Sequence, residues 1–151
     1  MRAAGSREAF RKVDYDYPAE TARFGAAAGA EQYLLVSSVG ARRTSPNFYL
    51  RVKGETEDAV RSSGIPSVGI FRPSFLLGDR PALRASEATA IRVVSKLSFV
   101  MVGPTRRFRP IEGAVVARAM VEVGRRKTTG ITMYESETIQ RIGAVPTGIP
   151  V

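Results

Sequence analysis

Short unbroken apolar runs alternate along the chain with longer segments whose apolar residues recur every three or four positions. Tyr33, Leu34, Leu35 and Val36 form the first such run, and residues 32–38 read as a buried strand. Pro46 and Asn47 open the next segment. There Phe48, Val52, Ala59 and Val60 share one stripe, predicting a helix over 46–63 with Gly64 as its stop and Glu57–Arg61 as an i,i+4 pair on the wet side. A second strand is predicted over 67–72, ended by Pro73, with a short extended piece at 75–78. Upstream, residues 18–30 read as a helix with Pro18 in its first turn, whereas 1–12 show no clear period and read as a loop or an unfinished element.

The second half is less regular. Residues 87–101 fit a helix or a strand, and 106–111 fit a basic loop or short strand. An amphipathic helix is predicted over 113–123, stopped by Gly124. A turn at Thr129-Gly130, a short strand over 131–134 and a final helix over 136–142 follow, and the Pro/Gly-rich end 144–151 is expected to fray. Strands and helices alternating at this spacing predict an α/β fold, with a parallel sheet and helices on its faces.

A length of 151 residues makes one domain the default. No run of 18 apolar residues occurs, so no membrane span is expected, and the first residues lack the apolar stretch of a secretory signal. Cytoplasm is the expected location. Cysteine and histidine are both absent, which excludes disulfides, thiol nucleophiles, Cys/His zinc sites and His-based triads. Any acid–base chemistry must use Tyr, Lys, Asp or Glu. The net charge of +9 permits an anion or nucleic-acid surface around Arg106, Arg107, Arg109, Arg125, Arg126 and Lys127. The arginines are nevertheless spread in singles and pairs without aromatic interleaving, so an ordinary charged surface accounts for them and nucleic acid is not the expected partner.

The candidate chemistry lies at the end of the first strand. Ser37 and Ser38 close that strand, and Tyr49 and Lys53 follow one helical turn apart, on one face of the next helix. A lysine ammonium beside a phenol favours the phenolate. A phenol so tuned can exchange a proton with a carbonyl or alcohol oxygen that Ser38 also hydrogen-bonds. In open α/β sheets, ligands sit at the carboxyl ends of the strands.

Residues 35–41 (LVSSVGA), 48–55 (FYLRVKGE) and 71–78 (FRPSFLLG), in that order, resemble the atypical short-chain dehydrogenase/reductase superfamily. Together with 10–17 (FRKVDYDY), 109–111 (RPI) and 115–120 (VVARAM), they resemble its HIV Tat-interacting oxidoreductase group and bacterial relatives. The resemblance implies the C-terminal part of a Rossmann-like sheet over 1–143 and an NAD(P)-dependent oxidoreductase. It makes Tyr49 the catalytic acid/base, Lys53 its partner and a ribose contact, and Ser38 the residue that orients substrate, with Ser37 nearby. Phe71, Arg72, Pro73 and Ser74 would lie by the nicotinamide of NAD or NADP. A small carbonyl or alcohol substrate, and a homodimer through the helices at 18–29 and 46–63, are further implications. The sequence departs from that pattern in having no Gly-x-Gly among its 14 glycines. Its start resembles the segment after the family's fourth strand, so the expectation is a truncated member without the phosphate-binding units. The alternative is a non-catalytic regulatory or interaction protein built on the fold remnant.

Overall fold

The computed structural model describes residues 5–77, 109–126 and 128–144. The ambiguous stretch 87–101, Arg106 and Arg107 of the basic segment, Lys127 and the tail beyond 144 lie outside them. Helix α1 (Arg7–Arg11) runs through a π-helical turn (Lys12–Asp16) into α2 (Tyr17–Ala27). Strand β1 (Gln32–Val36), helix α3 (Phe48–Arg61), and strands β2 (Ser67–Arg72), β3 (Leu76–Leu77) and β4 (Ile111–Glu112) follow. Helix α4 (Gly113–Arg125), strand β5 (Gly130–Glu135) and helix α5 (Ser136–Ala144) complete the described chain.

The fold is mixed α/β. Strands β1, β2 and β5 form a parallel sheet with β2 in the middle, and β3 and β4 pair in parallel beside it. Successive strand residues face opposite sides, so two cores arise from one sheet. On one side Leu35, Val68 and Ile70 pack with Ala22, Val60 and Ile65. On the other, Phe71 joins Ile111, Val116, Ala119, Val123 and Ile139. Burial on both faces is why the central strand reads as a near-continuous apolar run.

Local chemistry sets the ends of α3. The Asn47 side chain accepts a hydrogen bond from the Leu50 amide at 3.2 Å, and Gly64 takes φ +85°, a left-handed value that suits glycine after a helix. Gly54 sits against the β1–α3 loop, where a Cβ would lie 2.7 Å from the Arg42 Cα.

Four expectations need correction. Residues 7–12 are helical rather than loop, because the π turn adds a residue per turn and breaks the 3.6-residue period by which a helix is recognised. Gly124 does not stop α4, which continues to Arg125 because the Arg126 amide still bonds to the Val123 carbonyl at 3.0 Å. Glu57 is not on the wet side: it is 2% exposed and faces Arg72 across the sheet end, with Arg61 more distant at 3.6 Å. Phe48 and Ala59 are only half-buried, and Gly54 and Thr56 take the inward positions instead. No described helix is long and apolar enough to cross a membrane.

Candidate functional site

At the carboxyl ends of β1 and β2 lies a cavity of about 550 Å³. Ser37, Ser38 and Val39 line it from the end of β1, Asn47, Tyr49 and Leu50 from the start of α3, and 73–76 from the exit of β2. The walls are largely apolar, from Val39, Leu50, Pro73, Phe75 and Leu76, and they carry a few hydroxyl and amide groups. Phe75 and Leu76 are strongly exposed at the rim. A concave, mainly apolar space with a few convergent polar groups is how small-molecule sites are built.

The polar groups differ in availability. Among the described residues the Ser38 hydroxyl has only a long 3.5 Å contact with the Val39 carbonyl, and the Tyr49 hydroxyl has no hydrogen bond. Ser37, by contrast, donates to the buried Glu57 carboxylate at 2.6 Å. Ser74 donates to the Arg109 carbonyl and accepts from Ser136 at 3.3 Å. Ser38 and Tyr49 are therefore the pair open to a ligand oxygen.

The structure brings Ser38 and Tyr49 into one cavity, as the spacing predicts, but it places Lys53 elsewhere. The Lys53 ammonium pairs with Asp14 at 2.7 Å and lies 3.5 Å from the Val36 carbonyl; it is not among the lining residues. Tyr49 rests instead on Phe10 of α1, ring centroids 5.6 Å apart. Of the four residues by the nicotinamide in the resemblance, Pro73 and Ser74 line the cavity. Phe71 is fully buried and stacks on Tyr134, centroids 4.7 Å apart. Arg72 is spent on structure. It donates to Glu57 at 2.8 and 2.6 Å, to the Ala41 carbonyl at 3.1 Å and to Glu135 at 3.3 Å. Its hydrogen bonds to Glu57 hold its pKa above the usual guanidinium value.

The described lining contains no cation and no glycine turn. The hydroxyl and amide groups of these lining residues are neutral hydrogen-bonding groups. Three participants escape sequence reasoning. Asp14 falls at the edge of a segment without apparent period. Glu57 looks like a surface partner of Arg61. Asn47, read as part of the opening of a helix, is both its cap and a wall of the cavity. Only Asn47 carried a signal, since a capping residue before an amphipathic segment is recognisable.

No family model matches the chain. It is 35% identical over 142 residues to Protein FMP52, mitochondrial, of Debaryomyces hansenii, covering 93% of this chain and 60% of that protein. The protein of the same name in Aspergillus clavatus is 34% identical over 137 residues, 91% of this chain and 58% of its own length. Protein FMP52-1, mitochondrial, of Scheffersomyces stipitis is 44% identical over 78 residues, 52% of this chain and 34% of that protein. The chain thus spans 60% or less of the length of these relatives. Their names correct three expectations. They point to FMP52 proteins and not to a short-chain dehydrogenase/reductase, and they name no NAD(P)-dependent oxidoreductase and no regulatory or nucleic-acid-binding role. They also name mitochondria, against the expected cytoplasm.

Proposed function

We propose that the chain is part of a mitochondrial protein whose cavity at the ends of β1 and β2 binds a neutral small organic molecule through a carbonyl or hydroxyl oxygen. The observation that carries this reading is the presence of Ser38 and Tyr49, whose hydroxyls have no strong partner among the described residues, in one mainly apolar cavity of about 550 Å³. Both can donate to a ligand oxygen, while Leu50, Val39, Phe75 and Leu76 cover its apolar part. The mitochondrial setting rests on the names of the relatives. The parallel sheet with helices on both faces, and the cavity at the strand ends, support a Rossmann-like unit of a longer sheet.

The test is an NMR titration of the full chain with benzyl alcohol and with cyclohexanone. Shift changes should concentrate at Ser38, Tyr49, Leu50 and 73–76. Replacing Tyr49 with Phe should weaken binding about tenfold, the loss of one hydrogen bond to a ligand oxygen. Perturbations elsewhere, or none with either probe, would overturn the assignment.

A further inference from the structure

Lys53 shares α3 with the lining residues Tyr49 and Leu50, and yet the described lining carries no cation. It lies one turn beyond Tyr49 on α3, and its ammonium reaches the Val36 carbonyl, one residue before Ser37. A four-carbon stem with rotatable donors could equally swing that ammonium toward the Tyr49 end of the cavity. The ammonium is instead paired with Asp14. Its carboxylate holds the ammonium at 2.7 Å, and the two side chains are only 23% and 15% exposed.

Asp14 is itself held firmly. Its backbone carbonyl accepts a hydrogen bond from the Thr56 hydroxyl at 2.6 Å. Arg11 pairs with Glu55, and Phe10 is inserted against both Phe48 and Tyr49, ring centroids 5.9 and 5.6 Å away. Helix α1 and the π turn that carries Asp14 are thus docked on α3 by an ion pair, a hydrogen bond and aromatic contacts, apart from the Lys53 pair. The other cations near this end of α3 are also engaged: Arg11 by Glu55, Arg51 by the Ser45 carbonyl at 3.0 Å, and Arg72 by Glu57. Arg42 and Arg43 of the β1–α3 loop are exposed and are not among the lining residues.

We propose that Asp14 is a specificity-determining residue: by pairing off Lys53 it keeps the cavity neutral and directs it to uncharged ligands rather than carboxylates. This rests on the cavity being the ligand site, as proposed above. An anion entering the parent cavity would meet no cation among the described lining residues and would lose its hydration without compensation from them. Removing the Asp14 charge frees the ammonium to meet it.

The experiment compares benzoate with benzyl alcohol, by NMR titration at low and high salt, on the full chain and on Asp14→Asn. In the parent, benzoate should bind no more tightly than benzyl alcohol, with little salt dependence. Asp14→Asn should bind benzoate at least tenfold more tightly than the parent does, with a steep loss in high salt and little change for benzyl alcohol. Asp14→Asn/Lys53→Met should abolish the gain, which a merely structural role for Asp14 would not produce. Asp14→Ser serves as a second variant with the same expectation. Unchanged benzoate affinity in a folded Asp14 variant overturns the proposal, and so does tight, salt-sensitive benzoate binding by the parent. The second measurement needs no variant to fold. Failure of benzyl alcohol to bind anywhere, with a salt-sensitive benzoate gain still present, would count against the neutral-ligand reading and not against the control of Lys53 by Asp14.

Discussion

Arg72 grips Glu57 through two hydrogen bonds, 2.8 and 2.6 Å, at the point where β2 leaves the sheet. The same carboxylate accepts from Ser37 at 2.6 Å, and the same guanidinium reaches Glu135, so one pair ties the carboxyl ends of β1, β2 and β5 to α3. Breaking a buried pair by deleting one partner leaves the other charge without compensation. Glu57→Ala should therefore cost about 3 kcal/mol in urea denaturation. Adding Arg72→Met should cost less than the sum of the single changes, because the stranded charge is removed with it. A loss below about 1 kcal/mol for Glu57→Ala would show that the pair is not the tie inferred here.

Gly54 should not tolerate alanine, although alanine is the better helix former. The gain in propensity is about 1 kcal/mol. It is opposed by a Cβ placed 2.7 Å from the Arg42 Cα, in backbone that can yield only by moving the whole β1–α3 loop. The net effect should be a loss of about 2 kcal/mol or more, read as a lowered denaturation midpoint. A more stable Gly54→Ala variant would contradict the packing of that loop on α3.

Tyr33 gives the chain a sensitivity to alkali. Burial pushes its phenol above the usual value, and its hydroxyl donates to the Pro18 carbonyl at 3.1 Å. The unfolded phenol ionises at about pH 10 and the folded one later. Below that pH the stabilisation is fully present. It is lost as the pH rises from the unfolded value through the folded one, because the unfolded state releases its proton first. Urea midpoints measured between about pH 8 and about pH 11 should fall, and Tyr33→Phe should flatten the fall. The same variant should cost about 1 kcal/mol at neutral pH through the missing hydrogen bond. An equally steep alkaline decline in Tyr33→Phe would assign it to other groups.

Asn47 joins stability to the site. Asn47→Ala removes the cap on the Leu50 amide and should cost about 1 kcal/mol. The same change takes an amide from the cavity wall, so affinity for benzyl alcohol should shift as well. Asn47→Asp restores the cap and should recover the stability; failure to do so would mean that the cap is not what Asn47 contributes.

The order of strands and helices was readable because it rests on short-range signals. The Tyr33–Val36 run, the capping Asn47, Pro73 after β2 and the apolar stripe of α4 all act within a few residues of themselves. Ser38 and Tyr49 were readable for the same reason, since the end of a strand and the first turn of the next helix meet by βα geometry alone. The i,i+4 spacing sets Lys53 beside Tyr49, whereas folding pairs its ammonium with Asp14, a partner the spacing does not reveal. The contacts that dock Asp14 beside it join residues 42 positions apart, through a π turn that hides the helical period. Glu57 looked like the partner of Arg61 at i+4 because sequence spacing knows only neighbours on one helix. Folding brings Arg72 to it from an adjacent strand, with a bidentate geometry that Arg61 does not match. Periodicity and end signals alone determine the elements and the end of the sheet at which a site can form. Which charges meet there, and so whether the cavity is charged or neutral, depends on contacts between distant segments that exist only once the sheet has assembled.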